Sequence, residues 1–236
     1  MKVGYAVLYE DGELVISKNH IILSKKIAID YGKFDDTNVP WKLRSDKLKI
    51  QQIRILDSVK SNCMCKWFED CSNLTNLIDL QKLDVSDCEN FSYMFKHCES
   101  LKEIDALQDW NVSNGKDFSD MFETCALQNI NALENWNVSK AEDFSNMFAY
   151  CKSLQNIDAL KTWNVSNCKD FSYMFSHCES LQNIDALKTW NVSNGKYFSY
   201  MFEYCESLKK ISLPKSMKYL NRDMFFNCNE GLVFID

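Results

Sequence analysis

A stretch of 27 residues beginning at Trp163, WNVSNCKDFSYMFSHCESLQNIDALKT, recurs along the chain with little change. Other copies begin at Trp110, Trp136 and Trp190, so each copy is 26 or 27 residues long. A fixed period in this range is typical of proteins that stack one small structural unit on the next. The repeat therefore constrains the fold more strongly than any other feature of the sequence.

Two hydrophobic patterns follow one another within each copy. From Phe171 to Cys178 the apolar residues stand at i, i+3, i+4 and i+7, which predicts a short helix with one buried face. Between Leu181 and Leu187, Ile184 and Ala186 alternate with the polar Asn183 and Asp185, which predicts a short strand. The WNVSN segment between copies is expected to turn the chain, with its Asn and Ser capping that turn.

One unit of this size cannot bury its own apolar face, so equivalent side chains of successive copies are expected to stack in columns. The sequence thus predicts an α/β solenoid, a coil of short parallel strands and short helices. The predicted columns are Phe118, Phe144, Phe171 and Phe198; Met121, Met147, Met174 and Met201; and Cys125, Cys151, Cys178 and Cys205.

The solenoid is predicted to span residues 57–216, in about six repeats, between two caps. Residues 1–56 do not repeat and predict a β-rich N-terminal cap, with a hairpin that turns at Asp11 and Gly12. The KLKIQQIRIL segment of this cap predicts a strand with a bulge at Gln51-Gln52. Residues 217–236 predict a C-terminal cap with GLVFID as its closing strand. Such caps cover the apolar edges of the first and last repeats.

Composition excludes several classes of function. A net charge of −6 argues against a nucleic-acid-binding groove, because phosphate binding needs clustered Lys and Arg. The sequence contains no run of about 18 apolar residues, so it predicts no membrane-spanning helix. The first residues show no signal-peptide pattern, so we leave the cytoplasm and the cell surface both open as locations.

Eleven cysteines are present, and seven of them occupy one position of the repeat. This favours small buried hydrophobic side chains and reduced thiols over a disulfide framework, and reduced thiols are typical of the cytoplasm. Parallel Cβ vectors in a stack also suit the disulfide dihedral poorly.

Candidate chemical sites are few. Cys63, Cys65 and Cys71 could hold a soft metal ion, but no second set of ligands follows, so packing in the cap is the favoured interpretation. His97 and His177 lie three repeats apart, about 14 Å at strand spacing, and cannot share an ion. No nucleophile elbow, phosphate-binding loop or zinc-protease motif is present. We therefore expect no metal, no cofactor and no catalytic residue.

Two surfaces could bind a partner. The predicted ligand-binding row lies on the strand face and comprises Glu103, Asp105, Asn129, Asn131, Asn156, Asp158, Asn183, Asp185 and Lys210. The alternative row, on the helix side, comprises Tyr93, Asp120, Asn146, Tyr173 and Tyr200, with Tyr150 and Tyr204. Stacked Asn side chains could instead bond to one another along the ladder, and the Tyr side chains could be half-buried between repeats.

The repeat also resembles a known group. LDVSDCENFSYMFKHCESL and its copies resemble the WNxSxxxxFSxMFxxCxSL repeat of mycoplasma-lipoprotein-like bacterial surface proteins. The segment from Cys205 to Cys228 resembles the related BspA-like leucine-rich repeat, and the lead-in YAVLYEDGEL with CKWFEDCSNLTNL is similar as well. This resemblance implies a leucine-rich-repeat-like, right-handed solenoid and a non-enzymatic role, often at a bacterial surface.

These observations predict a protein-binding or adhesion module whose partner is a protein of unknown identity. One alternative is a structural spacer without a specific ligand, since the repeats differ so little. Another is an enzyme with its site in the N-terminal cap, which a unique cleft holding titratable groups would favour.

Overall fold

The computed structural model describes residues 2–36, 38–41, 43–217, 222–229 and 233–234. Strands are concentrated at the N-terminal end, and the repeats consist mainly of turns and short 3₁₀ helices (η). In chain order the elements are β1 (Lys2–Tyr9), β2 (Glu13–Ser17), β3 (Ile27–Asp35), α1 (Arg44–Lys47), β4 (Gln52–Ile55), β5 (Val59–Lys60), β6 (Asn76–Ile78), η1 (Leu80–Lys82), β7 (Leu83–Asp84), η2 (Asp105–Leu107), η3 (Asn131–Leu133), η4 (Asp158–Thr162), η5 (Asp185–Thr189), β8 (Lys210–Ile211), η6 (Arg222–Phe225) and β9 (Val233–Phe234).

The N-terminal sheet has the strand order β3-β1-β2-β4-β6. The β1–β2 hairpin is antiparallel, and Gly12 in its turn has a φ of 81°, which confirms the predicted hairpin. The strands β2, β4 and β6 pair in parallel. Because β6 belongs to the first repeat, one sheet runs continuously from the non-repeating segment into the stack.

The predicted strand with a bulge at Gln51-Gln52 is wrong in its length and its bulge. Residues Arg44–Lys47 form the short helix α1, and only Gln52–Ile55 are a strand. The N–H groups of Gln51 and Gln52 both donate to the carbonyl of Gly12, at 2.9 and 3.3 Å. The break in the apolar alternation at Gln51-Gln52 thus marks the point where the chain contacts the hairpin turn and the strand begins.

The helix predicted from Phe171 to Cys178 is also wrong. This segment is a series of tight turns in which Tyr173 and His177 have φ values of 58° and 57°. Alternate N–H groups leave the segment and donate to the next repeat, instead of to a carbonyl one helical turn back. These bonds are Phe171 N–H to Tyr197 O (2.9 Å), Tyr173 to Ser199 (3.0 Å), Phe175 to Met201 (2.9 Å) and His177 to Glu203 (2.6 Å). Hydrogen bonding between repeats therefore overrides the helical periodicity, although all four apolar positions are still buried.

The strand predicted from Leu181 to Leu187 is likewise replaced. Residues Asp185–Thr189 form η5, and the preceding Ile184 has φ and ψ angles of −128° and 25°. Pairing with the next repeat is confined to one isolated bridge between Asn183 and Lys210. The segment is too short and too strongly bent to continue a ladder.

Equivalent aromatic rings do stack from repeat to repeat, as predicted. In the column that contains Phe118, Phe144 and Phe171, neighbouring ring centroids lie 5.1 to 6.2 Å apart. A second column, from Phe68 to Phe225, has spacings of 5.3 to 5.7 Å. Both columns belong to one continuous core cluster that begins in the N-terminal sheet. Each repeat thus completes the core of its neighbour.

Two kinds of buried side chain also donate hydrogen bonds to the preceding repeats. The Trp indole N–H groups donate to leucine carbonyls at 2.8 to 3.1 Å, as in Trp163 to Leu133. The thiols of equivalent cysteines donate to phenylalanine carbonyls at 2.9 to 3.2 Å, as in Cys151 to Phe122. These donors satisfy carbonyls that would otherwise lack a second partner in the core.

All eleven cysteines are free thiols. At the C-terminal end, β8 pairs in parallel with β9, which lies within the predicted closing strand GLVFID. The rest of that strand, and residues 218–221 and 230 of the predicted C-terminal cap, lie outside the described residues.

Candidate functional surfaces

The predicted ligand-binding row follows the bends that precede the 3₁₀ helices. Asn129, Asn156 and Asn183 are half-buried; Glu103, Asp105, Asn131, Asp158, Asp185 and Lys210 are exposed. Each of the three half-buried amides accepts the N–H of the residue two positions on, at 3.2 to 3.4 Å. Each amide therefore closes a local turn that leads into the 3₁₀ helix of its own repeat. The six exposed residues keep their role as predicted ligand contacts.

The alternative row lies on a surface built from the tight turns, which we call the turn face. Each turn segment has two left-handed residues four positions apart, and their side chains project outward in two columns. Left-handed backbone costs a non-glycine residue about 1–2 kcal/mol, which the hydrogen bonds between repeats offset. The first column is Lys66, Tyr93, Asp120, Asn146, Tyr173 and Tyr200, and the second is Asp70, His97, Thr124, Tyr150, His177 and Tyr204.

The N-terminal part of the turn face, up to Thr124, is held by charges, and we call it the polar end. The Lys96 ammonium, between the two columns, donates to Asp120 at 2.8 Å and pairs with Glu123. Lys66 and Lys96 also lie 4.6 and 5.1 Å from the centre of the Tyr93 ring, within cation–π range. The polar end is therefore a network of mutually satisfied charges.

Burial and proximity shift the pKa values in this network. Burial by itself lowers the pKa of Lys96, but its carboxylate partners outweigh burial and the net shift is upward. Burial and the neighbouring Asp120 raise the pKa of Glu123. Burial also acts to raise the pKa of Asp70, but the His97 hydrogen bond, at 2.9 Å, and Lys47 lower it overall.

The C-terminal part of the turn face presents aromatic rings, and we call it the aromatic end. His177 is stacked between Tyr150 and Tyr204, at 4.3 and 4.4 Å between ring centroids. In the other column Tyr173 stacks on Tyr200 at 5.1 Å. Two further contacts close the patch, since Phe226 packs edge-on against both Tyr200 and Tyr204. Tyr150, Tyr173 and Phe226 remain 42%, 37% and 48% exposed.

A cleft lies where the N-terminal sheet meets the first repeat. Its volume is about 510 Å³. Lys47 on one wall lies 3.7 Å from both Glu69 and Asp70, so its charge is compensated. Burial raises the pKa of the Cys63 thiol on the other wall. The described lining residues are Asp36, Val39, Lys47, Cys63, Cys65, Lys66, Glu69 and Asn90.

The proposed Cys63, Cys65 and Cys71 cluster does not form a metal site. Cys63 and Cys65 line the cleft, whereas Cys71 is fully buried in the core, where burial raises its pKa to about 12. Across the part of the chain that the structure describes, no three His, Cys, Asp or Glu side chains come together in a way that could hold a metal ion. The packing interpretation of these cysteines is the one that fits.

Sequence reasoning missed the stacking of His177 between two tyrosines. The signal was available, since Tyr150 and Tyr204 are separated from His177 by one repeat each. His177, however, enters the sequence reasoning only as a candidate metal ligand, and the predicted helix-side row of tyrosines omits it.

None of the helices in the described residues has the length and apolar character needed to cross a bilayer. No curated protein matches the chain. The sequence profile of DUF285, described as a mycoplasma protein of unknown function, matches residues 42–155 and 119–230.

Among solved structures, the chain is similar to a leucine-rich repeat protein from Bacteroides ovatus, with 13% identity, a TM-score of 0.30, and coverage of 99% of this chain and 89% of that one. A leucine-rich repeat protein from Eubacterium ventriosum shares 12% identity at a TM-score of 0.25, with coverage of 97% of this chain and 95% of that one. A leucine-rich cell surface protein from Faecalibacterium prausnitzii shares 13% identity at a TM-score of 0.27, with coverage of 99% of this chain and 94% of that one. These TM-scores are too low to support a structural argument, so the fold described above rests on this chain's own contacts.

Proposed function

The chain belongs to the mycoplasma DUF285 family, and we propose that this member is a non-enzymatic module that binds a protein partner. In this proposal residues 57–216 form a right-handed, leucine-rich-repeat-like solenoid between an N-terminal cap, 1–56, and a C-terminal cap, 217–236. The stack serves as a rigid frame, and the outward-facing columns supply the recognition surface.

The observation that supports the proposal is the aromatic end of the turn face. Tyr150, His177 and Tyr204 form one stacked column, and Tyr173 and Tyr200 form the other. Their backbones are fixed by hydrogen bonds between repeats, as with Tyr150 N–H to Ser176 O at 2.7 Å. A pre-ordered aromatic surface loses little conformational entropy on binding, and tyrosine is enriched in protein interfaces.

Ring faces in the interior of these columns are covered by their neighbours, so the surface offers ring edges and phenolic hydroxyls. Edges and hydroxyls suit a partner that brings its own apolar side chains and backbone acceptors. A protein surface supplies both. A polar rim is provided by Glu203, which accepts a hydrogen bond from Ser176 at 3.2 Å.

The cleft at the sheet–repeat junction is the observation that would favour an enzyme. Its described lining includes two cysteines, two lysines and two carboxylates but no histidine. The Cys63 pKa is raised by burial, and Lys47 is paired with carboxylates. Neither the Cys63 thiol nor the Lys47 ammonium is thus activated for catalysis, and we do not assign catalysis to the cleft.

The experiment compares three baits in affinity capture from whole lysate and from the envelope fraction of the source cells, with quantitative mass spectrometry. The first bait is the wild-type protein, and the second carries Tyr150→Thr and Tyr173→Asn. Thr124 and Asn146 already occupy these two positions one repeat earlier, so the substitutions suit the backbone.

The third bait carries Asp158→Asn and Asp185→Asn in the predicted ligand-binding row, where Asn131 is the natural precedent. We expect at least one protein to be captured by the wild-type and third baits and to be depleted about tenfold on the second, a loss that corresponds to roughly 1.4 kcal/mol. A purified partner should then bind the wild-type protein directly. Depletion on the third bait alone would assign binding to the other row, and capture of the same proteins by all three baits would refute the proposal.

A further inference from the structure

An open trough of about 500 Å³ runs across four successive repeats on the side of the WNVSN turns. Each of the four repeats contributes one lysine, namely Lys116, Lys140, Lys169 and Lys196. The chain as a whole carries a net charge of −6, yet the trough lining contains these four lysines and a single carboxylate, Glu142. The average composition therefore conceals a local excess of positive charge.

The backbone fixes the spacing of one column of the trough, which holds Lys116, Glu142, Lys169 and Lys196, whereas Lys140 stands in the neighbouring column with Asn114, Asn167 and Asn194. The N–H groups of Glu142, Lys169 and Lys196 each donate to the carbonyl of the equivalent residue in the preceding repeat, at 2.8 to 2.9 Å. Parallel bridges at the following residues hold the same register. Repeats joined in this way lie about 4.8 Å apart, so Lys140 and Lys196, which are two repeats apart, are offset by about 10 Å along the stack.

Two of the four ammonium groups have carboxylate partners. Lys116 donates to Glu89 at 2.8 Å, and Lys169 pairs with Glu142. Lys140 donates to the amide oxygen of Asn114 at 2.7 Å, so it has a polar partner but no carboxylate. Lys196 has no ion pair within the described part of the chain. Lys140 and Lys196 are therefore available to an external anion.

The asparagines of the trough add hydrogen-bond acceptors. The side-chain N–H groups of Asn167 and Asn194 donate to the carbonyls of Ser139 and Ser166, at 2.7 and 2.8 Å. These bonds fix both amides, and in the described structure no donor occupies their side-chain oxygens. A ligand that fits the trough would thus carry negative charges for the lysines and hydroxyl donors for the amide oxygens.

We infer that the trough binds a linear acidic polysaccharide whose sugar carboxylates pair with Lys140 and Lys196. Its hydroxyls donate to the oxygens of Asn167 and Asn194. A nucleic acid fits less well, because no aromatic side chain lines the trough for base stacking, and because Glu142 opposes a closely spaced row of phosphates. This site is separate from the turn face and does not depend on the protein-binding proposal.

The test measures binding of a fluorescently labelled oligogalacturonate to the full chain by anisotropy, at low salt and at 0.15 M salt. Three proteins are compared: the wild type, Lys140→Gln/Lys196→Gln, and the control Lys161→Gln/Lys209→Gln. The control removes the same charge from two exposed lysines outside the trough. Thermal unfolding of each protein verifies that the fold is retained.

We expect saturable binding that the trough variant weakens about five- to tenfold, since each pair to an exposed lysine contributes modestly. The affinity of the control for the oligogalacturonate should stay within about twofold of that of the wild type, which is less than the contribution of one exposed ion pair. If both variants bound equally weakly, net charge alone would explain the loss, and the trough would not be a specific site. Absence of saturable binding, equal binding of neutral dextran, or tighter binding of oligothymidylate or polyglutamate would also overturn the assignment.

Discussion

The two ends of the turn face have the same backbone and opposite surface chemistry. At the polar end, Lys66, Tyr93 and Asp120 occupy the first outward column, and charge pairs hold them together. At the aromatic end, Tyr173 and Tyr200 occupy the same column and stack. The φ angles of all these residues lie between 56° and 63°. The frame thus accepts a lysine, an aspartate or a tyrosine without a change of conformation.

This difference separates the two tasks of the repeat. The inner columns of Phe, Met, Cys and Trp form the core and hardly vary, whereas the outer columns vary freely because their side chains contact solvent and one another. In an ordinary helix the outer residues would also contribute to helix propensity. Here the hydrogen bonds between repeats define the backbone, so outer residues are available for recognition.

The largest expected effect tests whether the two ends share one frame. Phe122→Ala beneath the polar end and Phe175→Ala beneath the aromatic end remove equivalent rings of the same stacked column. Each substitution should lower the free energy of unfolding by about 3–5 kcal/mol through lost burial and a cavity. Denaturant unfolding of both variants provides the measurement. A difference of more than about 1.5 kcal/mol between them would mean that the ends are not energetically equivalent.

Removal of a core thiol should have a smaller effect, again equal at the two ends. Cys98 donates to Phe68 O and Cys178 to Phe148 O, both at 3.2 Å. Replacement of either by alanine deletes one weak buried hydrogen bond and the volume of one sulfur atom. We expect a loss of about 1–2 kcal/mol in each case, by denaturant unfolding under reducing conditions. No loss at either end would show that neither the hydrogen bond nor the volume of these thiols stabilises the stack.

The sequence was sufficient to predict the stack, the hairpin and the phenylalanine column. Each depends on a repeated or strongly local signal, such as the turn at Gly12 or the recurrence of Phe171. It was insufficient for the conformation within the repeat. The pattern from Phe171 to Cys178 has a helical period, yet alternate N–H groups bond to the next repeat. That partner is 26 or 27 residues away, beyond what a local periodicity can report.

The surfaces were harder to predict than the core for a related reason. Summed charge argued only against a nucleic-acid-binding groove and gave no sign of a local cluster of lysines, whereas the structure brings Lys140 and Lys196 to one trough. Only the register between repeats brings them together, and one repeat is a residue shorter than the others. The asparagines of the predicted ligand-binding row, such as Asn156, turned out to close the turns that lead into the 3₁₀ helices of their own repeats. A polar residue that recurs in every repeat can therefore stabilise the backbone of the repeat as readily as it can bind a ligand.

A matched pair of substitutions at the outer surface should separate the two ends. His97 at the polar end pairs with Asp70, and both side chains are more than 40% exposed. His177 at the aromatic end is stacked on two rings. Asparagine tolerates the left-handed backbone well, so His97→Asn and His177→Asn make the same backbone change. We expect His177→Asn to be the more destabilising by about 1 kcal/mol. Thermal unfolding that ranks them equally would mean that the aromatic stack adds nothing to stability.

The substitution with the smallest expected effect is Asp143→Asn, which places in the middle of the stack the asparagine that the chain already has at Asn90. Asn90, Asp117, Asp143 and Asp170 form one column of bridged residues beside the turn face. Burial, assisted by the charges of Asp170 and Asp117, raises the pKa of Asp143. Asp143 accepts the N–H of Ser145 at 2.7 Å, and Asn90 makes the equivalent bond to Ser92 at 2.9 Å. Asparagine can therefore replace the aspartate without loss of this hydrogen bond.

A carboxyl whose pKa is raised by folding destabilises the folded state wherever it is ionised, that is, above its folded pKa. Below the ordinary carboxyl pKa it is protonated in both states, and the penalty is absent. Asp143→Asn should therefore stabilise the protein at neutral pH, by about 0.5 kcal/mol after allowance for partial exposure. The gain should shrink as the pH falls through the folded pKa of Asp143 toward the ordinary carboxyl value. Urea unfolding of both proteins between neutral and acidic pH measures this difference. A gain that stays constant with pH would show that repulsion within the acidic column is not its source.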